Sequence, residues 1–198
     1  MSKKRKIGIL GGTFDPVHHG HIALAKAARE AFGLDEVRLM PCAQQALKER
    51  HPTAAEDRCA MLRLAIGAEP GLSLDTRELY RSGKTYTYDT LLALRAEEPD
   101  CDFYFLLGMD SVRDFPRWHR AEELINLCHF IAFDRPGVEP PEAPFHPALL
   151  AHHLRGPLID ISSSEIRQNI AEKHPLCYAM GEQEERYLQG HQLYRKEP

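Results

Sequence analysis

Apolar residues along the chain form two kinds of segment, short continuous runs and longer stretches with helical spacing. Short runs typical of buried strands lie at residues 7–10, 37–40, 72–75, 103–107, 130–133 and 158–161. Helices are predicted at residues 21–32, 55–66, 87–97 and 124–127 and from residue 163 onward. The alternation of strand and helix predicts an α/β fold, in which a doubly wound parallel sheet carries helices on both faces.

The size and composition of the chain fit one compact domain. It has 198 residues, 43% of them hydrophobic, which is enough to bury a sizeable core in a single domain over residues 1–198. The only linker-like stretch is the proline-rich segment 136–147. We therefore expect one folded unit with no separate module attached.

Charge and cysteine content exclude several classes of protein. There are 25 basic and 29 acidic residues, so the net charge of −4 gives no overall basic field that would attract nucleic acid. The basic cluster at residues 3–6 precedes a predicted strand, so it is interpreted as neither a signal peptide nor a membrane anchor. The five cysteines are scattered, with no C-x-x-C pair, which indicates free thiols in a reducing compartment. We expect a cytoplasmic protein that binds neither membranes nor nucleic acid.

Residues 11–21, G-G-T-F-D-P-V-H-H-G-H, join the first predicted strand to the first predicted helix. α/β proteins bind phosphate at such glycine turns, because free backbone N–H groups and the positive helix end face the ligand. The spacing is neither G-x-G-x-x-G nor that of a P-loop. In the H-x-G-H element, His18 and His21 are expected at the solvent-facing mouth of the turn, with Gly20 letting the backbone come close. A metal pair is disfavoured because this helix start already suits anions.

Near the other end of the chain, residues 161–167 read I-S-S-S-E-I-R. Ser162 and Glu165 have the spacing of a capping box, so one interpretation is a well-capped helix and nothing more. The same segment also places hydroxyls and free N–H groups at a positive helix end, with Arg167 one turn along. These groups together suit a polyphosphate.

Two clusters in the middle of the chain carry further candidate chemistry. Gly108 permits close backbone approach after the strand at 103–107, and Asp110 either caps a helix or accepts hydrogen bonds from ribose hydroxyls. A core position is the default for Trp118, but the polar segment around it suits a ring exposed for stacking. In R-S-G-K-T-Y-T at residues 81–87, Thr85 or Thr87 either caps the next helix or helps its N–H groups to bind a carboxylate.

These four segments resemble the bacterial nicotinate-mononucleotide adenylyltransferases, a family of the H-x-G-H nucleotidyltransferase superfamily. The shared patterns are G-G-T-F-D-P-V-H-x-G-H, T-Y-T-x-x-T-L, G-x-D-S-x-x-x-F-x-x-W and I-S-S-S-x-I-R. The resemblance runs from residue 7 to residue 167 and continues to Leu193 and Tyr194. It implies a Rossmann-like fold. The implied enzyme makes nicotinate adenine dinucleotide and pyrophosphate from ATP and nicotinate mononucleotide during NAD synthesis.

The resemblance also implies a role for each motif residue. The implied catalytic residues, which contact or neutralise the ATP phosphates, are His18, His21 and Arg167. The other implied ATP contacts are Gly11, Gly12, Thr13, Phe14, Gly20, Gly108, Asp110, Ser163 and Ser164. The implied contacts with the acceptor are Asp15, Lys48, Thr85, Thr87, Trp118 and His119. Mg²⁺ is the expected cofactor, held mainly through the ATP phosphates and not by ligands from the chain.

The chain departs from the family pattern at residues 41–48. Family members commonly read P-N-x-x-P-P-H-K after the second strand, whereas this chain reads P-C-A-Q-Q-A-L-K. Lys48 alone keeps a charge in this loop, which resembles the one that receives the mononucleotide phosphate. His119 stands where tyrosine is frequent.

Other interpretations of the sequence remain open. Pantetheine-phosphate adenylyltransferases and small cytidylyltransferases share the H-x-G-H core and use other acceptors. A nucleotide-binding regulatory module without turnover is disfavoured by the intact residues His18, His21, Ser164 and Arg167. A nucleic-acid-binding module fits least, given the acidic balance. The sequence does not decide between a monomer and a homo-oligomer.

Overall fold

A six-stranded parallel sheet forms the centre of the protein, with strand order β3-β2-β1-β4-β5-β6. The structure is a computed structural model that describes residues 3–43, 52–67, 69–81, 84–155, 159–176 and 178–195. Its strands are β1 (Arg5–Gly12), β2 (Glu36–Pro41), β3 (Leu72–Leu74), β4 (Cys101–Gly108), β5 (His129–Phe133) and β6 (His152–Leu154). The order reverses between β1 and β4, which is the doubly wound, Rossmann-like arrangement that the sequence predicts.

Seven α-helices connect or follow the strands in the described part of the chain. They are α1 (His19–Phe32), α2 (Ala55–Ile66), α3 (Thr87–Glu97), α4 (Met109–Asp114), α5 (Ala121–Leu124), α6 (Ser163–Ala171) and α7 (Glu182–Gly190). Short 3₁₀ turns lie at Phe115–Arg117 and Pro147–Leu150. Gly33 ends α1 in the left-handed conformation, with φ of 59°, which a glycine adopts without steric cost.

The core has one layer on each face of the sheet. On one face Leu106 and Ile131 pack with residues of α1 and α2, such as Ala25 and Leu62. On the other face the alternate strand positions pack with residues of α3, α4 and α5, among them Leu91, Val112 and Leu124. A smaller third cluster joins α6 to α7. The prediction of helices on both faces is confirmed.

The last strand lies elsewhere than predicted. Residues 159–161 are not in a strand, residue 158 lies outside the described residues, and β6 is instead His152–Leu154. Since β6 is a short edge strand, only Leu154 is buried, while His152 packs against the rings of Phe32 and Tyr104. A strand with two histidines in three residues has too little apolar signal to be detected from sequence.

The remaining helices agree only in part with those predicted from the sequence. Helices α2 and α3 have the predicted bounds, whereas α5 (Ala121–Leu124) contains only the first of the residues 124–127 that were predicted to be helical. Helices α4 and α7 were not predicted. The described cysteines are free thiols, as expected, and Cys177 lies outside the described residues. Over the described ranges, no helix is both long and apolar enough to cross a membrane.

One buried arginine ties together the loops at the carboxyl edge of the sheet. Arg58 on α2 is 1% exposed, and its guanidinium donates to the backbone carbonyls of Thr13 at 2.7 Å, Cys42 at 2.9 Å and Thr53 at 2.9 Å. Thr13 follows β1, Cys42 follows β2 and Thr53 precedes α2. A planar fork with several donors satisfies three separated carbonyls, which a lysine ammonium does less well. Arg58 therefore fixes the relative positions of the first two strand-to-helix connections.

We predict that Arg58→Met lowers the free energy of unfolding by about 3–5 kcal/mol, because it leaves one buried and two partly buried carbonyl groups without their donor. Urea unfolding at neutral pH measures the change. Arg63→Met on the exposed face of the same helix is the matched control, expected within about 0.5 kcal/mol of the unaltered protein. Equal losses in the two variants would show that the three carbonyl contacts do not stabilise the fold.

Candidate active site

The candidate site lies at the carboxyl edge of the sheet, where the strand order reverses between β1 and β4. Parallel sheets bind ligands at such a reversal, because the loops that follow the two strands diverge and leave a crevice. The turn at residues 13–18 follows β1, and Gly108 ends β4. The predicted H-x-G-H and Gly108–Asp110 clusters therefore follow neighbouring strands.

His18 and His21 contact each other at the start of α1. Their ring centroids lie 3.7 Å apart, and the backbone N–H of His18 donates to Nδ1 of His21 at 3.3 Å. His18 is only 7% exposed, and the edge of the Phe14 ring packs on His21 at 4.9 Å. The expectation that both imidazoles stand at a solvent-facing mouth is therefore wrong for His18. Ring stacking with His21 covers it, a contact that residue spacing does not reveal.

Both imidazoles are held in the neutral form. Burial, followed by the positive charges of Arg135 and His19, lowers the pKa of His18 from 6.5 to about 4. Burial also lowers the pKa of His21 well below its usual value, and His18 and Arg135 act in the same direction. Since Nδ1 of His21 accepts a hydrogen bond, its proton is assigned to Nε2. In this arrangement His21 is a hydrogen-bond donor and not a cation.

The turn that leads to the histidines has a constrained backbone. Phe14 is 2% exposed and has a φ of 49°, in the left-handed region that a bulky residue rarely adopts. A Cβ atom on Gly12 would lie 3.1 Å from the Phe14 ring, and one on Gly20 would lie 3.0 Å from Nδ1 of His18. A side chain at either position would therefore require the neighbouring ring to shift by a few tenths of an ångström. Backbone strain of this kind is characteristic of functional sites.

The dipeptide Asp15–Pro16 is held by residues from near the other end of the chain. Arg167 Nη1 donates to the carbonyl of Asp15 at 2.6 Å, and the Ser163 hydroxyl donates to the carbonyl of Pro16 at 2.9 Å. The Asp15 carboxylate is buried and accepts from the hydroxyl of Tyr194 at 2.7 Å. The structure thus joins the segment at 161–167 to the G-G-T-F-D-P turn. The family resemblance implies an acceptor contact for Asp15, which stays a prediction, while its carboxylate accepts from Tyr194 inside the protein.

Helix α6 begins with the predicted cap. The Ser162 hydroxyl accepts from the backbone N–H of Glu165 at 3.1 Å. Arg167 Nη2 donates to the hydroxyl of Ser164 at 3.0 Å, so the guanidinium spans α6 and the turn before α1. Both the capping interpretation and the proximity of α6 to the first turn are therefore seen in the structure. The assignment of these groups to phosphate binding stays a prediction.

Arg135 is a candidate residue that sequence analysis missed. It follows β5 at the same edge of the sheet, and its Nη1 lies 3.2 Å from the carboxylate of Asp110. A Cβ atom on Gly108 would lie 2.7 Å from Nε of Arg135 and 2.5 Å from Asp110 Oδ1, so a side chain here would displace the ends of these two side chains. His18 Nδ1 and Asp110 Oδ1 are buried without a hydrogen-bond partner among the described residues. Arg135 lies two residues after the end of β5, and this position just beyond a parallel strand is the sequence signal that points to it.

The clusters around residues 85 and 118 lie together in the structure. The ring of Tyr86, at the start of α3, packs on that of His119 with centroids 4.4 Å apart. Tyr86 occupies the N-cap position without a side-chain cap, so of the two interpretations of this segment, capping of α3 by Thr85 or Thr87 is not seen. Trp118 is half-buried, and its ring stacks on that of Phe115 with centroids 5.3 Å apart. The ring is therefore less exposed than the sequence interpretation suggested. A cavity of about 470 Å³ beside α3 is lined by Tyr80, Arg81, Lys84, Thr85, Tyr86 and Asp89.

Comparison with known proteins adds to this geometry. A cytidylyltransferase-like family model matches residues 9–169. A probable nicotinate-nucleotide adenylyltransferase of Herpetosiphon aurantiacus is 39% identical over 195 residues, covering 96% of this chain and 98% of that protein. One from Lactiplantibacillus plantarum is 40% identical over 193 residues, covering 97% and 89%. The chain belongs to the nicotinate-nucleotide adenylyltransferase family.

The fold of this family member is also that of a solved structure. Plasmodium falciparum nicotinic acid mononucleotide adenylyltransferase complexed with NaAD superposes with a TM-score of 0.81 at 23% identity, over 96% of this chain and 97% of that one. In the present family member, residues 44–51 of the loop after β2, and with them Lys48, lie outside the described residues. No group of three or more histidine, cysteine or acidic side chains is placed to hold a metal ion in the described part.

We predict that neutral His18 makes stability depend on pH. Its pKa is about 4 in the folded protein and 6.5 in the unfolded chain, so the unfolded chain binds the proton first as the pH falls. The contribution is fully present above pH 6.5 and is lost as the pH falls towards 4, a change of about 3 kcal/mol.

Urea unfolding at pH 7 and pH 5 measures this dependence. In His18→Asn, which lacks the imidazole, the decrease in the free energy of unfolding between pH 7 and pH 5 should be smaller by about 1 kcal/mol per pH unit. His174→Asn, at an exposed histidine, is the control and should keep the loss seen in the unaltered protein. An unchanged loss in His18→Asn would show that His18 is not held neutral by the fold.

Proposed function

We propose that this chain transfers the adenylyl group of ATP to nicotinate mononucleotide, giving nicotinate adenine dinucleotide and pyrophosphate. The observation that carries the proposal is the contact of Arg167 and Ser163 with the Asp15–Pro16 turn, three residues before the first histidine of H-x-G-H. This contact assembles a cation, hydroxyls, imidazoles and two helix N-termini in one crevice. Family membership supports ATP and a pyridine mononucleotide as the substrates.

The reaction needs alignment more than it needs a reactive side chain. A phosphate oxygen of the mononucleotide attacks the α-phosphorus of ATP in line, the P–O bond to the β-phosphate breaks, and pyrophosphate leaves with the electron pair. Because the nucleophile and the leaving group both belong to the substrates, the chain's part is to orient them and to stabilise the developing charge. One well-placed donor contributes roughly 10²–10³-fold in rate.

The neutral imidazoles suit the role of donors. His21 carries its proton on Nε2 and is positioned by its Nδ1 contact with the His18 backbone. The buried Nδ1 of His18 has no hydrogen-bond partner among the described residues, so it is available to form a hydrogen bond with the ligand or with a water molecule bound to the ligand. Positive charge comes instead from Arg167 and Arg135. ATP is proposed to lie along Gly11, Gly12, Thr13, Phe14, Gly20, Gly108, Asp110, Ser163 and Ser164.

The acceptor is proposed to lie between α3 and the Trp118 segment. Arg81 and Lys84 line the adjacent cavity, and the N-terminal N–H groups of α3 near Thr87 suit a carboxylate. The half-buried ring of Trp118 is fixed by Phe115 and Phe105, which prepares it to stack on a pyridine ring. The backbone of His119 and the side chain of Thr85 complete this proposed subsite.

Mg²⁺ fits this site as an ion bound to the phosphates of the nucleotide and not to the protein. The groups gathered there are imidazoles, guanidinium groups and hydroxyls, whereas the carboxylate of Asp110 is paired with Arg135. Such a set suits phosphate oxygens and does not form an oxygen cage for the ion. When bound to the ATP phosphates, Mg²⁺ supplies neutralisation of their charge, while the residues named above orient the nucleotide.

The substrate assignment is tested by pyrophosphate release from ATP with nicotinate mononucleotide and with nicotinamide mononucleotide. An amide brings N–H₂ against the N–H donors of α3, which leaves polar groups unpaired at a cost of about 1–3 kcal/mol each. We expect kcat/KM to favour the nicotinate form by at least roughly tenfold. Trp118→Ala should weaken both acceptors by similar factors, because stacking does not distinguish an acid from an amide.

The outcomes separate the parts of the proposal. If kcat/KM were nearly equal for the two mononucleotides in the unaltered protein, the proposed carboxylate site at α3 would be wrong. The assignment to adenylyl transfer would still stand. CTP in place of ATP, and phosphopantetheine in place of the mononucleotide, are the controls for the related enzymes. Binding of ATP with no pyrophosphate release from any of these pairs would identify a regulatory module instead.

Arg167→Lys tests the ATP side. Lysine keeps the charge but replaces the planar fork that reaches Asp15 and Ser164 by a single ammonium group. We expect kcat/KM for ATP to fall by about 10²-fold, with the dissociation constant of nicotinate mononucleotide within about twofold of the original. Arg186→Lys, on the exposed face of α7, is the control and should leave both constants unchanged. Equal losses for ATP and the mononucleotide would place Arg167 elsewhere in the site.

A further inference from the structure

The C-terminal residues after α7 reach back to the first turn of the chain. Helix α7 is followed by a turn in which Gln192 and Tyr194 have φ of 53° and 62°. Both values lie in the left-handed region, which residues other than glycine rarely adopt. Leu193 and Tyr194 pack against the core cluster of α1 and α2 and against the cluster of α6 and α7. This unusual backbone therefore places one tyrosine between two parts of the structure.

The Tyr194 hydroxyl donates to Oδ1 of Asp15 at 2.7 Å, across 179 residues of sequence. Asp15 is 2% exposed, and the backbone N–H of Thr53 also approaches Oδ1, at 3.4 Å. Burial, together with the neighbouring carboxylate, raises the pKa of Tyr194, so its hydroxyl keeps its proton at neutral pH. The contact is therefore a charge-assisted hydrogen bond between a buried carboxylate and a half-buried tyrosine.

Asp15 links this tyrosine to the proposed catalytic groups. Its carboxylate is bound by Tyr194, while its carbonyl oxygen accepts from Arg167 at 2.6 Å. The carbonyl oxygen of the next residue, Pro16, accepts from the Ser163 hydroxyl, and His18 follows two residues later. A shift of the Asp15 side chain therefore moves the carbonyl that orients Arg167 and the turn that delivers His18.

We propose that Tyr194 is a positioning residue for adenylyl transfer, which fixes Asp15 and through it the Arg167 guanidinium and the turn before His18. The inference rests on the proposed function for its kinetic consequence, but the ordering of the turn is a property of the protein alone. Tyr194 acts on geometry and does not touch the reacting atoms. Small misplacements of catalytic groups cost large factors in rate, because the reaction depends on alignment.

The chain contains a matched control for this contact. Tyr187 on α7 donates to Oδ1 of Asp57 on α2 at 2.9 Å, and its ring stacks on His191 at 4.0 Å. This is also a tyrosine–carboxylate hydrogen bond between the C-terminal part and the body of the protein. This pair joins α7 to α2, whereas Tyr194 joins the C-terminal residues to the turn before α1.

The kinetic experiment compares Tyr194→Phe with Tyr187→Phe. Each variant loses one hydroxyl, so both melting temperatures should fall by a similar amount, about 2–4 °C. We expect kcat of Tyr194→Phe to fall at least about fivefold, with KM for ATP and for nicotinate mononucleotide within about threefold of the original. Tyr187→Phe should keep kcat within about twofold. The proposal is overturned if Tyr194→Phe also keeps kcat within twofold, or if the two variants lose activity equally.

Amide hydrogen exchange tests the positioning without any reaction. Peptides that cover residues 13–19 should exchange at least about threefold faster in Tyr194→Phe than in the unaltered protein, and at the original rate in Tyr187→Phe. Unchanged exchange in Tyr194→Phe would overturn the proposal even in an active enzyme. Faster exchange in a protein without adenylyl transfer would uphold the positioning and reject the proposed function, so the two failures are distinguishable.

A double-mutant cycle tests whether Tyr194 acts through Asp15. Asp15→Asn weakens the same hydrogen bond from the other side, so the two substitutions remove one interaction. We expect the double variant to have a kcat within about twofold of that of the less active single variant. Multiplication of the two single effects would show that Tyr194 acts by a different route.

Discussion

The candidate site depends on the fixation of one dipeptide, Asp15–Pro16, by residues that lie 147 to 179 positions further along the chain. Arg167 and Ser163 bind its two carbonyl oxygens, and Tyr194 binds the Asp15 carboxylate. Each contact uses a buried or half-buried polar group, which is costly to leave without a partner. The turn is therefore held in one geometry, and the helix that begins after it starts at a defined point.

A second set of buried contacts supports the same edge of the sheet from the side of α2. Arg58 binds the carbonyls of Thr13 and Cys42, so one side chain joins the backbone after β1 to the backbone after β2. Phe14 is buried beside His21, in a strained backbone conformation that its burial maintains. Strands, helix starts and a turn held by buried contacts carry the groups of the proposed ATP site, which suits a reaction that is accelerated by alignment.

The electrostatics of the site differ from what two adjacent histidines suggest. Burial and neighbouring positive charge keep His18 and His21 neutral, so they contribute directed N–H groups and lone pairs and not net charge. Arg135 contributes to this effect, because its cation disfavours a proton on either imidazole. The proposed site therefore relies for positive charge on the guanidinium groups of Arg167 and Arg135, which stay protonated at all physiological pH values.

The sequence by itself determined the alternation of strands and helices, the bounds of α2 and α3, and the motifs that identify the family, since these depend on local periodicity and short spacings. It also indicated the cap at Ser162, because a capping box is a local interaction. Only the tertiary structure decided the burial of His18, the inward direction of the Asp15 carboxylate, the edge strand β6, and the roles of Arg58, Arg135 and Tyr194. These features arise from contacts between residues far apart in the chain, whose partners local spacing does not specify.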